Sequence, residues 1–173
     1  MGSNGVTVAG QGVHIQLSRE EAKRLFALQG DEAVRAFVTE LENSARHREN
    51  GQVLACGTVW DPIHRCLTDG ELDPEGGEFP LNHCILGGKQ IYKGSDRVVS
   101  LVRPDVTPFV AESLSALKRN EFRDRYLHLD PQRYGRQPSE EEFTDVWIAL
   151  QQIRDFYEVA GEERSAVLFS AKF

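Results

Sequence analysis

Residues 139–169 of the 173-residue chain read SEEEFTDVWIALQQIRDFYEVAGEERSAVLF, and this stretch sets the fold class. Apolar side chains recur every three or four positions from Phe143 to Ala160, which predicts one long amphipathic helix with Gly161 at its end. Ser139 stands three residues before Glu142, the spacing of a capping box. The apolar run that follows, from Ala166 to Phe169, predicts a strand near the end of the chain.

Two further strands are predicted by their own patterns. Val13, Ile15 and Leu17 alternate with polar residues, which is typical of a half-buried strand, and the β-branched run 98–102 indicates a central strand. Helical patterns fall in groups between these strands instead of alternating with them one by one. We therefore expect an α+β fold: a small mixed sheet that includes both chain ends, packed against several helices. The length fits a single domain over residues 1–173.

The other helices are predicted from caps and spacing. Ser18 with Glu21 forms a second capping box, and Asp31 is expected to cap the next helix. Asp61 followed by Pro62 predicts an N-cap and first turn of a short helix that ends near Thr68. A later helix, opened by a proline at position 104, carries an apolar face whose members are Val106, Phe109, Val110, Leu114 and Leu117.

Composition narrows the functional classes. With 20 Lys and Arg against 27 Asp and Glu, the formal charge is −7, which argues against a nucleic-acid partner and permits a basic protein partner. No apolar run approaches the roughly 20 residues of a membrane span, and residues 1–16 lack the pattern of a secretory signal. Three cysteines are too few for a disulfide framework. We expect a cytoplasmic protein without a membrane partner.

Residues 60–64 contain the first candidate site, a polar cleft. Asp61 and His64 lie within one helical turn, and Trp60 precedes them, so the three side chains could line a cleft together. The alternative is structural: Asp61 caps the helix through the backbone N–H of His64, and Trp60 packs beneath. The sequence leaves both interpretations open.

Metal and cofactor chemistry lacks a motif. Cys56, Cys66 and Cys84 lie 10 and 18 positions apart, which is not the spacing of a zinc site. His83 and Cys84 are adjacent, but neighbours on a strand point in opposite directions, so adjacency does not make a catalytic dyad. The Gly87-Gly88 pair has no phosphate-loop spacing. We predict no cofactor, no metal and no catalytic residue.

A loop over residues 69–80 is the second candidate site. It carries five acids with no basic residue between them, namely Asp69, Glu71, Asp73, Glu75 and Glu78. A calcium loop of the EF-hand type would need glycine and a bidentate acid where this loop has Pro74 and Pro80. The loop is therefore either an ordinary solvated segment or an anionic contact surface for a basic protein.

In order along the chain, several short motifs together resemble one known family. They are the Trp60-Asp61-x-Ile63-His64 run, Leu67-Thr68 with the acidic loop, Gly87-Gly88, the Val99–Leu101 strand, Leu114 and Leu117, the Asn120–Tyr126 segment, Leu150 with Phe156-Tyr157, and Ala166–Leu168. Their order resembles the YfbM-like family, a bacterial domain of unknown function.

The resemblance implies an α+β domain without an established activity, so it transfers no catalytic residue. Proteins of this kind are also associated with immunity to toxins in bacterial competition. The preferred hypothesis is a non-enzymatic inhibitor whose acidic loop meets the basic cleft of a toxin, with nearby aromatic side chains as anchors. The alternatives are a small enzyme or ligand-binding protein with a cleft near Trp60, Asp61 and His64, joined by Glu71 or His83, and a scaffold of unknown role.

Overall fold

The computed structural model describes residues 10–173. The strands are β1 (Gly12–Leu17), β2 (Val53–Gly57), β3 (Lys89–Gln90), β4 (Arg97–Val102) and β5 (Ala166–Lys172). The helices are α1 (Arg19–Ala27), α2 (Asp31–Glu42), α3 (Ala45–Glu49), α4 (Trp60–Leu67), α5 (Thr107–Ser115), α6 (Arg119–Leu127), α7 (Pro131–Tyr134) and α8 (Glu140–Glu162). A 3₁₀ turn over Leu81–His83 follows the acidic loop.

The strands form one sheet in the order β2-β1-β5-β4-β3. The first strand of the described chain pairs with the last over six positions, from Gly12 opposite Ala171 to Leu17 opposite Ala166. The α+β prediction with both ends of the chain in the sheet is confirmed. The sheet is antiparallel in every pairing and not mixed, because β5 lies between β1 and β4 and runs against both.

Strand β5, and not β4, occupies the centre of the sheet. Its residues alternate between two apolar clusters on opposite faces: Val167 and Phe169 belong to a large cluster, and Ala166 and Leu168 belong to a small one. The large cluster is formed with α4, α5, α6 and α8, and the small cluster with α1 and α2. Helices therefore cover both faces, which explains why the run 98–102 is apolar without alternation.

The predicted helix caps are confirmed at some helices and wrong at others. The box at α1 is complete, since Ser18 Oγ accepts from Glu21 N at 3.1 Å and Glu21 accepts from Ser18 N at 2.8 Å. The prediction that Asp61 caps α4 is wrong, because Val59 is the cap and Asp61 is the second helical residue. Asp31 likewise lies inside α2, with Gly30 as its cap. In residues 10–173, no helix is both long and apolar enough to cross a membrane.

The three cysteines are free and buried. Cys84 fills the core, and its carbonyl oxygen accepts from Tyr157 Oη at 3.2 Å and from His14 Nε2 at 2.8 Å. His14 projects from β1 into the large cluster, where the rings of Phe156 and Phe169 lie 6.0 and 4.9 Å from it. Burial lowers the pKa of His14 to about 4, against the opposing effect of the hydrogen bond to Cys84.

The buried His14 predicts a pH-dependent stability. The unfolded chain protonates this histidine near pH 6.5, whereas the folded protein keeps it neutral down to about pH 4. The contribution of His14 to the free energy of unfolding is therefore complete above pH 6.5. It decreases by roughly 3 kcal/mol as the pH is lowered to 4. His14→Gln should flatten the dependence of the unfolding free energy on pH, measured by urea denaturation at pH 7, 6 and 5.

His128→Gln is the matched control, because it removes an exposed histidine and should keep the wild-type slope. An unchanged slope in His14→Gln would show that burial of His14 does not drive the loss of stability.

Candidate functional site

Trp60 is fully buried at the start of α4 and does not line an open cleft. Its indole Nε1 donates to the carbonyl oxygen of Gly10 at 2.7 Å, and its ring lies 5.6 Å from the Phe169 ring, between centroids. The indole thus holds the start of the sheet against α4. For Trp60, the structure therefore agrees with the structural interpretation, in which the indole packs beneath the helix, and not with the polar cleft.

Asp61 and His64 are also interior groups. Asp61 is 8% exposed and accepts from Nε of Arg65 at 2.6 Å, so the two form a buried ion pair within one helical turn. His64 is fully buried; its Nε2 donates to the carbonyl oxygen of Asp73 at 2.9 Å, and its Nδ1 has no hydrogen-bond partner in the described chain. Burial lowers the pKa of His64, which keeps the ring neutral. The predicted cleft is therefore replaced by packed side chains.

Helix α4 fastens the acidic loop to the core. Besides the bond from His64 to Asp73, Nη1 of Arg65 donates to the Gly70 carbonyl at 3.3 Å. Within the loop, Asp69 accepts from the backbone of Glu71, and Asp73 accepts from the backbone of Glu75 at 2.9 Å. These contacts give the acidic loop a defined conformation.

Close packing adds to this order. A Cβ atom on Gly76 would lie 2.8 Å from a carboxylate oxygen of Asp69, and one on Gly77 would lie 2.6 Å from Thr68. Gly77 also has φ of +79°, a conformation that favours glycine. The second half of the loop thus folds back onto its first half.

The five acids of the loop are not equivalent. Glu71 forms an ion pair with Arg133 of α7, so its charge is compensated from a distant part of the sequence. Asp69 and Asp73 are exposed but accept backbone hydrogen bonds within the loop. Glu75 and Glu78 are exposed and form no ion pair within residues 10–173. Uncompensated negative charge therefore lies at Asp69, Asp73, Glu75 and Glu78, of which Glu75 and Glu78 are nearest in sequence to Phe79.

The first half of the loop borders a depression of mixed charge. Its volume is about 530 Å³, and its polar lining includes Arg65, Thr68, Asp69, Glu71, Arg125 and Arg133. Three of its guanidinium groups already have partners, because Arg65 bonds to Asp61, Arg133 pairs with Glu71, and Arg125 donates to the Cys66 carbonyl at 3.2 Å. Cys66 itself is buried, which raises the pKa of its thiol and makes it a poor nucleophile.

Next to the second half of the loop, two phenylalanines are exposed. Phe79 is 53% and Phe109 54% accessible, and their ring centroids lie 6.1 Å apart. The ring of His83 meets Phe79 edge-on at 5.1 Å. We call Phe79 and Phe109 the aromatic pair.

The sequence analysis placed Phe109 on the buried face of its helix, which is wrong. Val110 and Leu114, four positions apart, are the buried residues of α5, and Phe109 points away from them. Adjacent positions on a helix differ by about 100°, and the direction buried by Val110 and Leu114 leaves Phe109 outside the core. The sequence held no signal for this exposure, because the adjacent residues Phe156 and Tyr157 of α8 are both buried. Within the described chain, no three His, Cys, Asp or Glu side chains are grouped to hold a metal ion.

The buried pair of Asp61 and Arg65 yields a test of its structural role. Arg65→Met leaves a carboxylate buried without its partner and should lower the unfolding free energy by about 3 kcal/mol. Asp61→Leu combined with Arg65→Met removes both charges and should recover most of that loss. Guanidinium denaturation of the wild type, both single variants and the double variant measures the coupling. Additive losses would show that the pair contributes no mutual stabilisation.

Comparison with solved structures identifies the same architecture elsewhere. The chain is similar to the crystal structure of YfbM from Escherichia coli, a protein of unknown function, with a TM-score of 0.67 and 18% sequence identity. The match covers 93% of this chain and 99% of that one. At this identity the similarity shows the fold alone. No curated protein matches the chain.

A family model gives the broader relationship. The domain of unknown function DUF1877 matches residues 10–170, which is nearly all of the chain and includes every helix and strand described above except the end of β5. The resemblance to the YfbM-like family is thus confirmed. The chain belongs to the DUF1877 family.

Proposed function

We propose that this protein binds another protein through the acidic loop and the aromatic pair, and that it serves as an immunity-type inhibitor that occludes the basic active-site cleft of a toxin. The observation that carries the proposal is the exposed pair of Phe79 and Phe109 beside the unpaired carboxylates of Glu75 and Glu78. The partner class is a protein with a basic surface.

The aromatic pair provides the apolar centre of such an interface. Exposed phenylalanine in contact with a second exposed phenylalanine is a costly arrangement in water, and burying both rings in a partner would remove that cost. Aromatic side chains are the typical anchors of protein interfaces because each covers a large area with few rotatable bonds. The ring of His83 packs edge-on against Phe79 and adds to the aromatic character of this surface.

The carboxylates set the charge of the partner. Glu75 and Glu78 lie four and one positions before Phe79 and contribute to the net charge of −7. Unpaired surface carboxylates attract a basic surface over a distance comparable to the Debye length and so raise the association rate. A toxin that acts on nucleic acids or nucleotides must attract phosphate, so it presents a basic cleft of this kind.

The order of the loop favours tight binding. A flexible loop would lose conformational entropy when it docks, but this loop is already held by His64, Arg65 and its own internal hydrogen bonds. The alternative hypothesis, an enzyme with a cleft at residues 60–64, has less support because Trp60 and His64 are fully buried.

Substitution of the aromatic pair tests the interface. The protein with a C-terminal affinity tag is expressed in its native cells, and partners recovered with it are quantified by mass spectrometry. Phe79→Ser together with Phe109→Ser should reduce the recovery of a true partner at least tenfold, since loss of an anchor costs about 2 kcal/mol or more. Phe26→Ser is the matched control, because Phe26 is 57% exposed on α1, on the opposite face of the sheet.

Partner recovery that is equal in the wild type and the double serine variant would contradict the proposed interface. If the recovered partner depends on the aromatic pair but is not a toxin, the proposed binding surface would be supported and the immunity role would be contradicted. The immunity role is checked by co-expression: a toxic partner should stop growth alone and permit growth with the wild-type protein.

Neutralisation of the loop tests the electrostatic part separately. Glu75→Gln with Glu78→Gln should slow association of the purified partner about three- to tenfold at low ionic strength and weaken the salt dependence of the rate. Glu20→Gln with Glu32→Gln changes the net charge equally on exposed residues of α1 and α2 and should change the rate little. Stopped-flow measurements between 25 and about 500 mM salt compare the three proteins. Equal rates in both charge variants would contradict steering by the loop.

A further inference from the structure

Arg97, the first residue of β4, is a buried cation, and two of its donor nitrogens have no hydrogen-bond partner among the described residues. It is 5% exposed, and its Nε and Nη1 atoms form no hydrogen bond with any described residue. Its neighbour Asp96 instead accepts from Tyr92 Oη at 2.8 Å and pairs with Arg35 at 3.3 Å. A guanidinium group stays charged at every accessible pH, so this burial lowers the stability of the folded protein unless an anion compensates it.

The chain compensates the charge of Arg97 only in part. No ion pair joins Arg97 to an acid within residues 10–173, and the carboxylate of Asp96, which acts on Arg97 electrostatically, is already bound to Tyr92 and Arg35.

The sheet places Arg97 beside an open depression. Arg97 pairs with Lys172 across β4 and β5, and paired residues of antiparallel strands project from the same face. Ser170, two positions before Lys172, shares that face. Lys172 and Ser170 both line a depression of about 510 Å³ between the sheet, the end of α2 and α3.

The lining of this depression is apolar at its base and cationic at its rim. Val13, Val53 and Ala55 form the apolar base on strands β1 and β2. Arg48 and Lys172 stand at the rim, opposed by the single carboxylate of Glu42. The lining therefore carries one more positive than negative side chain, although the chain as a whole is acidic.

We propose that this depression binds a small aliphatic carboxylate, whose anionic group is held between Lys172 and Arg97 and whose hydrocarbon chain covers Val13, Val53 and Ala55. A planar carboxylate matches the planar guanidinium fork, and the volume lies within the range of small-molecule sites. No aromatic side chain lines the depression within the described residues, which disfavours a nucleobase. The site lies on the α1–α2 side of the sheet and is independent of the acidic loop.

Binding requires Arg97 to turn from its buried position toward the depression. Because the Nε and Nη1 atoms of Arg97 make no hydrogen bonds with described residues, this movement breaks no hydrogen bond of these two atoms. The unsatisfied donors gain a strong acceptor at the same moment. Arg97 is thus the residue that distinguishes an anionic ligand from a neutral one of the same shape.

Isothermal titration calorimetry of the full chain with sodium octanoate tests the proposal. Acetate, which lacks the chain, and octanamide, which lacks the charge, should each bind at least tenfold more weakly than octanoate. Arg97→Leu should weaken octanoate binding at least tenfold without loss of folding, because it replaces an unpaired buried charge by an apolar side chain. Lys23→Leu removes an exposed cation on α1 and should bind octanoate as the wild type does.

Ala55→Phe provides a second variant that does not alter charge. Ala55 is exposed on the edge strand β2, so the larger side chain fits without disturbing the core, fills the depression and should abolish binding. The absence of octanoate binding to the wild type would overturn the proposal. Equal affinity for octanoate and octanamide, or unchanged affinity in Arg97→Leu, would overturn the role of Arg97.

Discussion

The fold depends on the antiparallel pairing between β1 and β5. These strands come from opposite ends of the described chain, and each residue of β1 has a partner in β5. The pairing places β5 between β1 and β4, where its side chains contribute to the large cluster on one face and to the small cluster on the other. Without β5, β1 and β4 would lose their shared neighbour, and neither apolar cluster would be complete.

The same core supports the proposed recognition surface. Helix α4 packs into the large cluster through Trp60 and Ile63, and from its other side His64 and Arg65 hold the backbone of the acidic loop. A buried helix thus fixes the geometry of an exposed anionic segment. Residues 60–64 thus position the acidic loop from the interior of the molecule.

Local sequence patterns predicted the elements whose causes are local. The Ser18 and Glu21 box and the long apolar repeat of α8 depend on residues within a few positions, so both are recognisable without a structure. Asp61 shows the limit of such patterns. An aspartate before proline suits an N-cap, but Arg65 one turn later offers a buried ion pair, and that interaction is present in the fold.

In the candidate site, too, some features follow from the local sequence and others depend on tertiary packing. The acidic loop was evident from composition, but the compensation of Glu71 by Arg133 of α7 depends on tertiary packing. The exposure of Phe109 depends on which side of α5 packs against the core, and its contact with Phe79 joins separate elements, so neither was predictable from the sequence. Arg97 immediately precedes the apolar run 98–102, and its position opposite Lys172 follows only from the register of the sheet.

The central position of β5 has a consequence for how the chain is made. Ribosomes synthesise proteins from the N-terminus, so β5 emerges after all the other strands. Until then, the apolar sides of six helices (α1, α2, α4, α5, α6 and α8) lack the central strand against which they pack on the two faces of the sheet. The sheet therefore cannot be completed until β5 has been synthesised, and until then the exposed apolar helix faces are potential binding sites for chaperones.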